Sequence, residues 1–210
     1  MIVVHHLNNS RSQRILWLLE ELGLDYEVKR YERDSNTMLA PAALKEVHPL
    51  GKSPVITDEG QTLAESGAIT DYLVERYGDG KLAPPSGTPE KLRYNYWLHY
   101  SEGSAMPLLV MKLLLDNFGL GDSSVANQFV TPQIKLHFDY LESELSKNEW
   151  FVGEEFTAAD IQMSFPVEAV EAQAGLDASR PKLKAFLERI HTRPAYQRAL
   201  ERGGKYELLT

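Results

Sequence analysis

The order of hydrophobic and polar positions in the first third of the chain predicts a strand, a helix and a second strand. Residues 2–7 form a short β-branched run, and the polar stretch 8–12 follows it. Apolar residues then recur with the i, i+3, i+4, i+7 spacing of an amphipathic helix, at Ile15, Leu16, Leu18, Leu19 and Leu22. Gly23 is suited to end this helix, because glycine accepts the left-handed backbone of a helix C-terminus. Residues 26–31 alternate as a half-buried strand does, which completes a β-α-β unit.

A predicted hairpin and a further helix complete this first region. Two short apolar runs, at 55–57 and 62–64, flank a polar turn that contains Gly60. Residues 66–77 then show helical spacing. The first 78 residues are therefore predicted to run β-α-β, a partly helical connection, and β-β-α.

The second half of the chain follows a different pattern. Residues 79–88 are rich in proline and glycine and predict a linker. Helical spacing dominates after it and predicts about five packed helices, with one clear stripe at Leu183, Phe186, Leu187 and Ile190. Thr157 and Asp160 form a variant of the capping box, with Asp in place of the usual Glu. We predict an α/β domain over 1–78, the linker, and an all-helical domain over 89–210.

Composition narrows the functional classes. The chain has 210 residues, a net charge of −8 and no cysteine. An acidic surface argues against nucleic acid or an anionic membrane as the main partner. The absence of cysteine excludes disulfides, thiolate metal sites and a protein thiol nucleophile, so any sulfur chemistry must come from a ligand. The N-terminus has no signal-peptide pattern and no apolar run approaches membrane-spanning length, which predicts a cytoplasmic protein.

Sequence motifs exclude several reaction types. The chain lacks a phosphate-binding loop, a dinucleotide-binding glycine motif, a His-Glu-x-x-His zinc motif and a Gly-x-Ser-x-Gly nucleophile motif. Its six histidines are scattered, so we expect no metal site. His5 and His6 are interpreted as strand residues that face opposite sides of a sheet.

Three short signals remain. Pro54 stands before the apolar run of a predicted strand, where a proline is also common as an edge device. Glu65 and Ser66 stand where a strand meets a helix, so Ser66 either caps that helix or helps its N-terminus bind an anion. Glu65 is suited to hold an ammonium group, and the pair would fit an amino-acid head group. Ser10 precedes the first helix; if Ser12 caps that helix, Ser10 is left to donate outward.

Together, these segments resemble the cytosolic glutathione transferases over nearly the whole chain. The resemblance rests on the order of Ser10-Arg-Ser-Gln-Arg14, Pro49-Leu-Gly-Lys-Ser-Pro54, Glu65-Ser-Gly-Ala-Ile69 and Phe156-Thr-Ala-Ala-Asp160. It implies a thioredoxin-like N-terminal domain that binds glutathione and an all-α domain that completes a pocket for hydrophobic electrophiles. Ser10 stands four residues before Arg14, as the catalytic serine does in the theta and delta-like classes. The chain is also similar to the fungal and bacterial members that are rich in Ser and Asn.

The resemblance implies which residues contact the cysteinyl part of glutathione. Ser10 would stabilise the glutathione thiolate, with Asn8, Asn9 and Ser12 as alternatives for this role. The backbone of Ser53, held by a cis Pro54, would pair with the cysteinyl unit of glutathione.

Further residues would hold the two ends of glutathione and the electrophile. Glu65 and Ser66 would hold the γ-glutamyl end, and Lys52 would hold the glycyl carboxylate. On the helical side, the aromatic run after the linker offers Tyr96 and Tyr100, together with Met106, as candidates for contact with the electrophile; an aromatic stripe of this kind is also typical of a hydrophobic core.

The resemblance also implies partners and leaves two functions open. Glutathione would be a co-substrate, with no further cofactor, and the protein would form a homodimer. The first function is an enzyme that attacks hydrophobic electrophiles, with accessory peroxidase activity toward organic hydroperoxides. The second is a non-catalytic binding or scaffold protein, because a fold does not determine a function.

Overall fold

A computed structural model describes residues 1–174 and 176–209 of the chain. Gly175 and Thr210, which fall inside the predicted helical domain, lie outside the described residues. Contacts between residues divide the chain into two compact units, Met1–Ala83 with Ile190–Thr210, and Pro84–Arg189. The sequence-based division places the end of the chain in the helical domain, whereas the contacts assign Ile190–Thr210 to the first unit.

The first unit is a four-stranded mixed sheet with helices. Its strands lie in the order β2-β1-β3-β4, with β2 parallel to β1, and with β3 antiparallel to both β1 and β4. The elements are β1 (Ile2–Leu7), α1 (Ser12–Leu22), β2 (Tyr26–Tyr31), α2 (Leu44–Val47), β3 (Val55–Asp58), β4 (Gln61–Ala64), α3 (Ser66–Tyr77) and, from the end of the chain, α9 (Pro194–Gly203) and a 3₁₀ turn (Glu207–Leu209). The predicted order of strands and helices is therefore confirmed.

Local chemistry explains two of the turns. The hairpin between β3 and β4 turns through Glu59 and Gly60, with φ angles of 48° and 81°, as a two-residue hairpin with right-handed strand twist requires. α1 ends at Gly23 with φ 67°, and its N–H donates to the carbonyls of Leu19 and Glu20. The expectation that Ser12 caps α1 is wrong, because Arg11 occupies the cap position and Ser12 is the first helical residue.

The C-terminal helix packs on α1 through charged and aromatic contacts. Arg193 binds the carboxylate of Glu21 through two nitrogens, at 2.6 and 2.9 Å. Trp17 and Tyr196 pack edge to face, with ring centroids 5.0 Å apart. These contacts join residues more than 170 positions apart in sequence, which explains why the division by sequence pattern assigned α9 to the helical domain.

The second unit is helical throughout its described residues. Its elements are α4 (Pro89–Tyr100), a π-helical turn (Ser101–Ala105), α5 (Met106–Asn117), α6 (Val125–Leu145), α7 (Ala158–Ala174) and α8 (Pro181–His191). Trp97, Phe151 and Phe186 are buried in its core, where Phe151 lies 4.8 Å from Trp97 and 5.1 Å from Phe186 by ring centroids.

The predicted capping box opens α7. Asp160 is fully buried and accepts hydrogen bonds from the N–H and hydroxyl of Thr157, at 2.8 and 3.0 Å. It also accepts from the N–H of Phe151 at 2.8 Å, and burial raises the pKa of this carboxyl group to about 6. The capping residue therefore ties the start of α7 to the preceding loop.

Candidate functional site

Strand register brings the candidate glutathione-binding segments to one end of the sheet. His5 in β1 lies opposite Val55 in β3, and Val55 lies opposite Ala64 in β4. The loop after β1, the residues before β3 and the residues after β4 therefore meet at the same end of the sheet. These three segments carry the predicted site residues Ser10, Lys52, Ser53, Pro54, Glu65 and Ser66.

The segment before β3 has the predicted backbone conformation. The peptide bond between Ser53 and Pro54 is cis. The hydroxyl of Ser53 donates to the His5 carbonyl at 2.9 Å, which ties this segment to β1. Lys52 is exposed beside it, with its side chain in solvent. Ser53 is therefore held next to β1 at this end of the sheet, and the Lys52 cation stands beside it.

The residues after β4 form a second binding element. Glu65 is exposed and has φ 71°, a backbone region that residues with a side chain rarely adopt and that occurs at turns and at functional sites. Ser66 is the first residue of α3 and is buried. Its hydroxyl accepts a hydrogen bond at 3.0 Å from Arg14, which is itself buried. A guanidinium cation therefore lies beside the positive end of a helix, and both favour an anion.

Ser10 is buried and lies at the N-terminus of α1. Its Oγ is 2.7 Å from the Oγ of Ser12 and accepts the Ser12 N–H at 3.2 Å. The Oγ of Ser12 lies 2.8 Å from Nδ1 of His6. The condition under which Ser10 was expected to donate outward, a capping role for Ser12, is not met, because the Ser12 hydroxyl turns inward and pairs with Ser10 and His6. Ser10 nevertheless keeps 5% of its surface exposed, whereas Ser12 has none.

The two neighbouring asparagines make contacts away from Ser10. The Asn8 side-chain oxygen accepts the Arg33 N–H at 3.1 Å. The Asn9 amide donates to the Glu207 carboxylate at 2.7 Å and accepts the Glu207 N–H at 2.8 Å. Asn9 therefore fastens the C-terminal 3₁₀ turn to this loop.

The three candidates for the electrophile side lie in the second unit. Tyr96 is about half exposed, whereas Tyr100 and Met106 are buried. The rings of Tyr96 and Tyr100 lie 5.5 Å apart, and the Tyr100 hydroxyl is 2.6 Å from Nδ1 of His137. Burial raises the pKa of Tyr100, so its hydroxyl stays protonated at neutral pH.

Two negative findings concern only the described residues. Among them, no group of three or more His, Asp or Glu side chains could hold a metal ion. No helix within the same part of the chain is long and apolar enough to cross a membrane. The cytoplasmic location stays a prediction.

Comparison with known proteins decides the family. Residues 1–75 match the family model for the N-terminal domain of glutathione S-transferases, and residues 126–194 match the model for the C-terminal domain. Glutathione S-transferase 3 of Schizosaccharomyces pombe is 38% identical, over 96% of this chain and 88% of its own length. The chain belongs to the glutathione S-transferase family. The predicted enzyme class is confirmed, and the serine-type subgroup stays a prediction.

Solved structures of other glutathione S-transferases agree with the fold. The crystal structure of one from Actinobacillus pleuropneumoniae has a TM-score of 0.90 and 38% identity, and the match covers 99% of this chain and 94% of that one. A sphingomonad glutathione S-transferase complexed with glutathione has a TM-score of 0.79 and 27% identity, with 96% and 98% covered. The expected thioredoxin-like domain followed by a helical domain is confirmed.

Two side chains at this end of the sheet have contacts that the sequence did not predict. Arg14 is one of the most deeply buried residues of the chain and contacts Ser66, which lies 52 positions away. The sequence indicates His6 only as a strand residue, whereas its Nδ1 lies 2.8 Å from the Oγ of Ser12 at the start of α1. The sequence marks Arg14 only as the last residue of the motif that begins at Ser10; a cation beside an apolar helix stripe is the further feature that indicates a buried, paired side chain.

Proposed function

We propose that this glutathione transferase uses Ser10 to stabilise the thiolate of glutathione for attack on hydrophobic electrophiles. The observation that supports this most strongly is the convergence of Ser10, cis Pro54 and Glu65 at one end of the sheet. These segments offer a hydroxyl at a helix N-terminus, the backbone of Ser53 before β3, and a carboxylate next to the N-terminus of α3 for the ammonium and carboxylate groups of an amino-acid head group. The chain has no cysteine that could itself be the nucleophile.

The energy needed for thiol activation matches what this site offers. A free thiol has a pKa of about 8.5, and lowering it by about two units requires roughly 2.7 kcal/mol of preference for the anion. A hydrogen bond to a charged acceptor contributes about 1.5–3 kcal/mol, and a helix N-terminus adds roughly 0.3–1 kcal/mol. The Ser10 hydroxyl and the start of α1 are therefore sufficient together. The same thiolate would support peroxidase activity: its attack on an organic hydroperoxide breaks the O–O bond, releases the alcohol and leaves glutathione sulfenic acid, which a second glutathione converts to glutathione disulfide and water.

The remaining contacts hold glutathione from its two ends. The Glu65 carboxylate would bind the γ-glutamyl ammonium group. The first turn of α3, with Ser66 and the neighbouring guanidinium of Arg14, would bind the γ-glutamyl carboxylate. The backbone of Ser53 would pair with the cysteinyl unit, and the exposed Lys52 would bind the glycyl carboxylate. The glutathione complex of the sphingomonad relative supports a site for the same ligand here.

The helical unit would supply the electrophile side and the dimer contact. Tyr96 is half exposed and is therefore the candidate best suited to touch a hydrophobic substrate. Tyr100 and Met106, which are buried, are the other two candidates. Helices α5 and α6 and the turn after α5 carry several exposed apolar side chains, which supports a homodimer because exposed apolar surfaces mark association sites. The set includes Met111, Leu113, Leu114, Phe118, Val125, Phe129 and Leu136. A monomeric mass in solution would contradict the homodimer.

The test is a titration of the purified protein with glutathione at neutral pH, followed by thiolate ultraviolet absorbance. We expect the wild type to ionise bound glutathione and Ser10→Ala to ionise much less. Turnover with a chlorinated nitrobenzene should fall at least tenfold in that variant, while glutathione affinity stays within a few-fold. Asn8→Ala tests the alternative in the same loop, and we expect it to ionise bound glutathione as the wild type does, because the Asn8 side-chain oxygen already accepts the Arg33 N–H.

The other outcomes point to different functions. Equal ionisation in the wild type and Ser10→Ala would move the activating role to an asparagine or a backbone N–H. Glutathione binding without a thiolate, and without turnover of several electrophiles, would favour the binding or scaffold protein.

A further inference from the structure

Three buried polar side chains form a continuous chain from the sheet to the proposed thiol site. Nδ1 of His6 in β1 lies 2.8 Å from the Oγ of Ser12, and that atom lies 2.7 Å from the Oγ of Ser10. The three side chains have 3%, 0% and 5% of their surface exposed. Since water has almost no access, the protein itself must decide in which direction each hydroxyl proton points.

The surroundings of His6 determine which of its nitrogens carries a proton. Nε2 of His6, the nitrogen on the side away from Ser12, lies next to the backbone of Gly203 in α9, and this backbone raises the pKa of the ring, as an accepting carbonyl does. Burial and the charge of Arg30 lower the pKa of His6 to about 4, so the ring is neutral at pH 7 and has a single N–H. A backbone carbonyl can only accept, so this N–H is Nε2–H and Nδ1 is an acceptor.

An acceptor at Nδ1 fixes the orientation of both serine hydroxyls. Ser12 has one hydroxyl proton and donates it to His6, since an unprotonated Nδ1 has no proton to share with Ser12, whereas the Ser10 hydroxyl has one; the Leu7 carbonyl is farther away, at 3.3 Å. The Ser12 oxygen then accepts from the Leu7 N–H and from the Ser10 hydroxyl. The Ser10 oxygen accepts the Ser12 N–H. In this arrangement the Ser10 proton points inward and a lone pair faces the site.

We propose that His6 is a positioning residue which, through Ser12, holds the Ser10 hydroxyl with its proton turned inward and thereby limits how strongly Ser10 stabilises a thiolate. This inference rests on the proposed role of Ser10. A neutral thiol can donate its S–H to the outward lone pair of Ser10. When the thiol proton leaves to solvent, Ser10 must turn its own proton from Ser12 toward the sulfur. That rotation gives up one buried hydrogen bond, so His6 keeps the thiol less acidic than the site would otherwise make it.

The test measures the pKa of enzyme-bound glutathione by its thiolate absorbance as a function of pH. His6→Phe removes the acceptor for Ser12, which can then donate to Ser10 and let Ser10 donate outward. Ser12→Ala removes the inward partner of Ser10 directly. We expect each variant to lower the pKa of the bound thiol by about one unit, which is about a tenfold larger ionisation constant and corresponds to one hydrogen bond.

Two further variants separate a positioning role from a structural one. His5→Phe is the matched control, because His5 is the neighbouring strand residue, is equally buried, and contacts Tyr31 at 3.0 Å instead of the site loop. We expect this variant to leave the thiol pKa unchanged. In a Ser10→Ala background, we expect His6→Phe to have no further effect, because its influence passes through the Ser10 hydroxyl.

The outcomes distinguish failure of this inference from failure of the proposed function. An unchanged or raised thiol pKa in His6→Phe would overturn the inference, as would the same shift in His5→Phe or a shift that persists without Ser10. If His6→Phe does not fold, Ser12→Ala decides by the same criteria. If Ser10→Ala alone leaves the thiol pKa unchanged, the proposed role of Ser10 fails, and the inference fails with it.

Discussion

The two units hold their candidate functional residues by different kinds of contact. In the first unit, Ser10 and Ser66 are buried polar groups whose positions are set by directional hydrogen bonds to Ser12 and Arg14. In the second unit, Tyr96 and its neighbours are aromatic rings packed on one another. Hydrogen bonds between buried groups allow few geometries, whereas ring packing tolerates changes in size and shape. We therefore expect glutathione chemistry to be sensitive to single atoms and electrophile selectivity to vary gradually.

The largest effect is expected at Glu65. If the first unit binds glutathione through defined charges, Glu65→Ala should abolish retention on immobilised glutathione, because the γ-glutamyl ammonium group loses its counterion. Glu59→Ala is the matched control, since Glu59 is also exposed and also has a positive φ, but pairs with Arg76 on the hairpin. Full retention of Glu65→Ala on the column would refute the assignment of Glu65.

Asp160 tests whether directional hydrogen bonds in the second unit serve the fold and not the site. Asp160→Ala leaves the buried N–H groups of Phe151 and Thr157 without an acceptor. We expect the free energy of unfolding, measured by chemical denaturation, to fall by about 3 kcal/mol, since each unsatisfied buried donor costs about 1–3 kcal/mol. Asp177→Ala should cost about 0.5 kcal/mol, because Asp177 accepts the Ser179 N–H in an exposed turn. Weaker glutathione binding in Asp160→Ala at an unchanged free energy of unfolding would show that the hydrogen bonds of Asp160 serve the glutathione site and not the fold.

Buried polar groups in the first unit should also make its stability depend on pH. The pKa of His6 is lowered to about 4, below its unfolded value of 6.5, so the unfolded chain binds more protons between these values. The stabilisation is complete above about pH 6.5 and is lost as the pH falls toward 4. When the pH is lowered from 7.5 to 5, the proton uptake of His6 on unfolding should therefore reduce the free energy of unfolding by about 2 kcal/mol, at 1.36 kcal/mol per pKa unit. Denaturant titrations at both pH values should show a smaller loss in His6→Phe, and equal losses would contradict the role of His6.

The smallest effect is expected on the electrophile side. Tyr96→Ala should change the ratio of kcat/KM between a bulky and a small electrophile by a few-fold, because one half-exposed ring contributes limited contact area. Glutathione affinity should stay within twofold. Leu92→Ala is the control, since Leu92 is also an exposed apolar residue of α4 and belongs neither to the electrophile candidates nor to the proposed dimer surface. A general loss of stability without a change in selectivity would show that Tyr96 belongs to the core.

The sequence by itself determined the features that depend on neighbours in the chain. The turn at Glu59 and Gly60, the end of α1 at Gly23 and the capping role of Asp160 each follow from residues within a few positions. Their geometry is set by backbone sterics and short hydrogen-bonded rings, which the local residue types reveal. The order of motifs along the chain was also sufficient to indicate the family.

Only the tertiary structure decided which distant groups meet. Local spacing favoured Ser12 as a helix cap, yet its hydroxyl turns to His6 because β1 and α1 pack with those two side chains face to face. Arg14 reaches Ser66 because α1 and α3 begin at the same end of the sheet. Likewise, α9 joins the first unit through the ion pair of Arg193 with Glu21. Residue spacing along the chain shows which face of an element is apolar, but the partner of each buried polar group depends on how whole elements are packed.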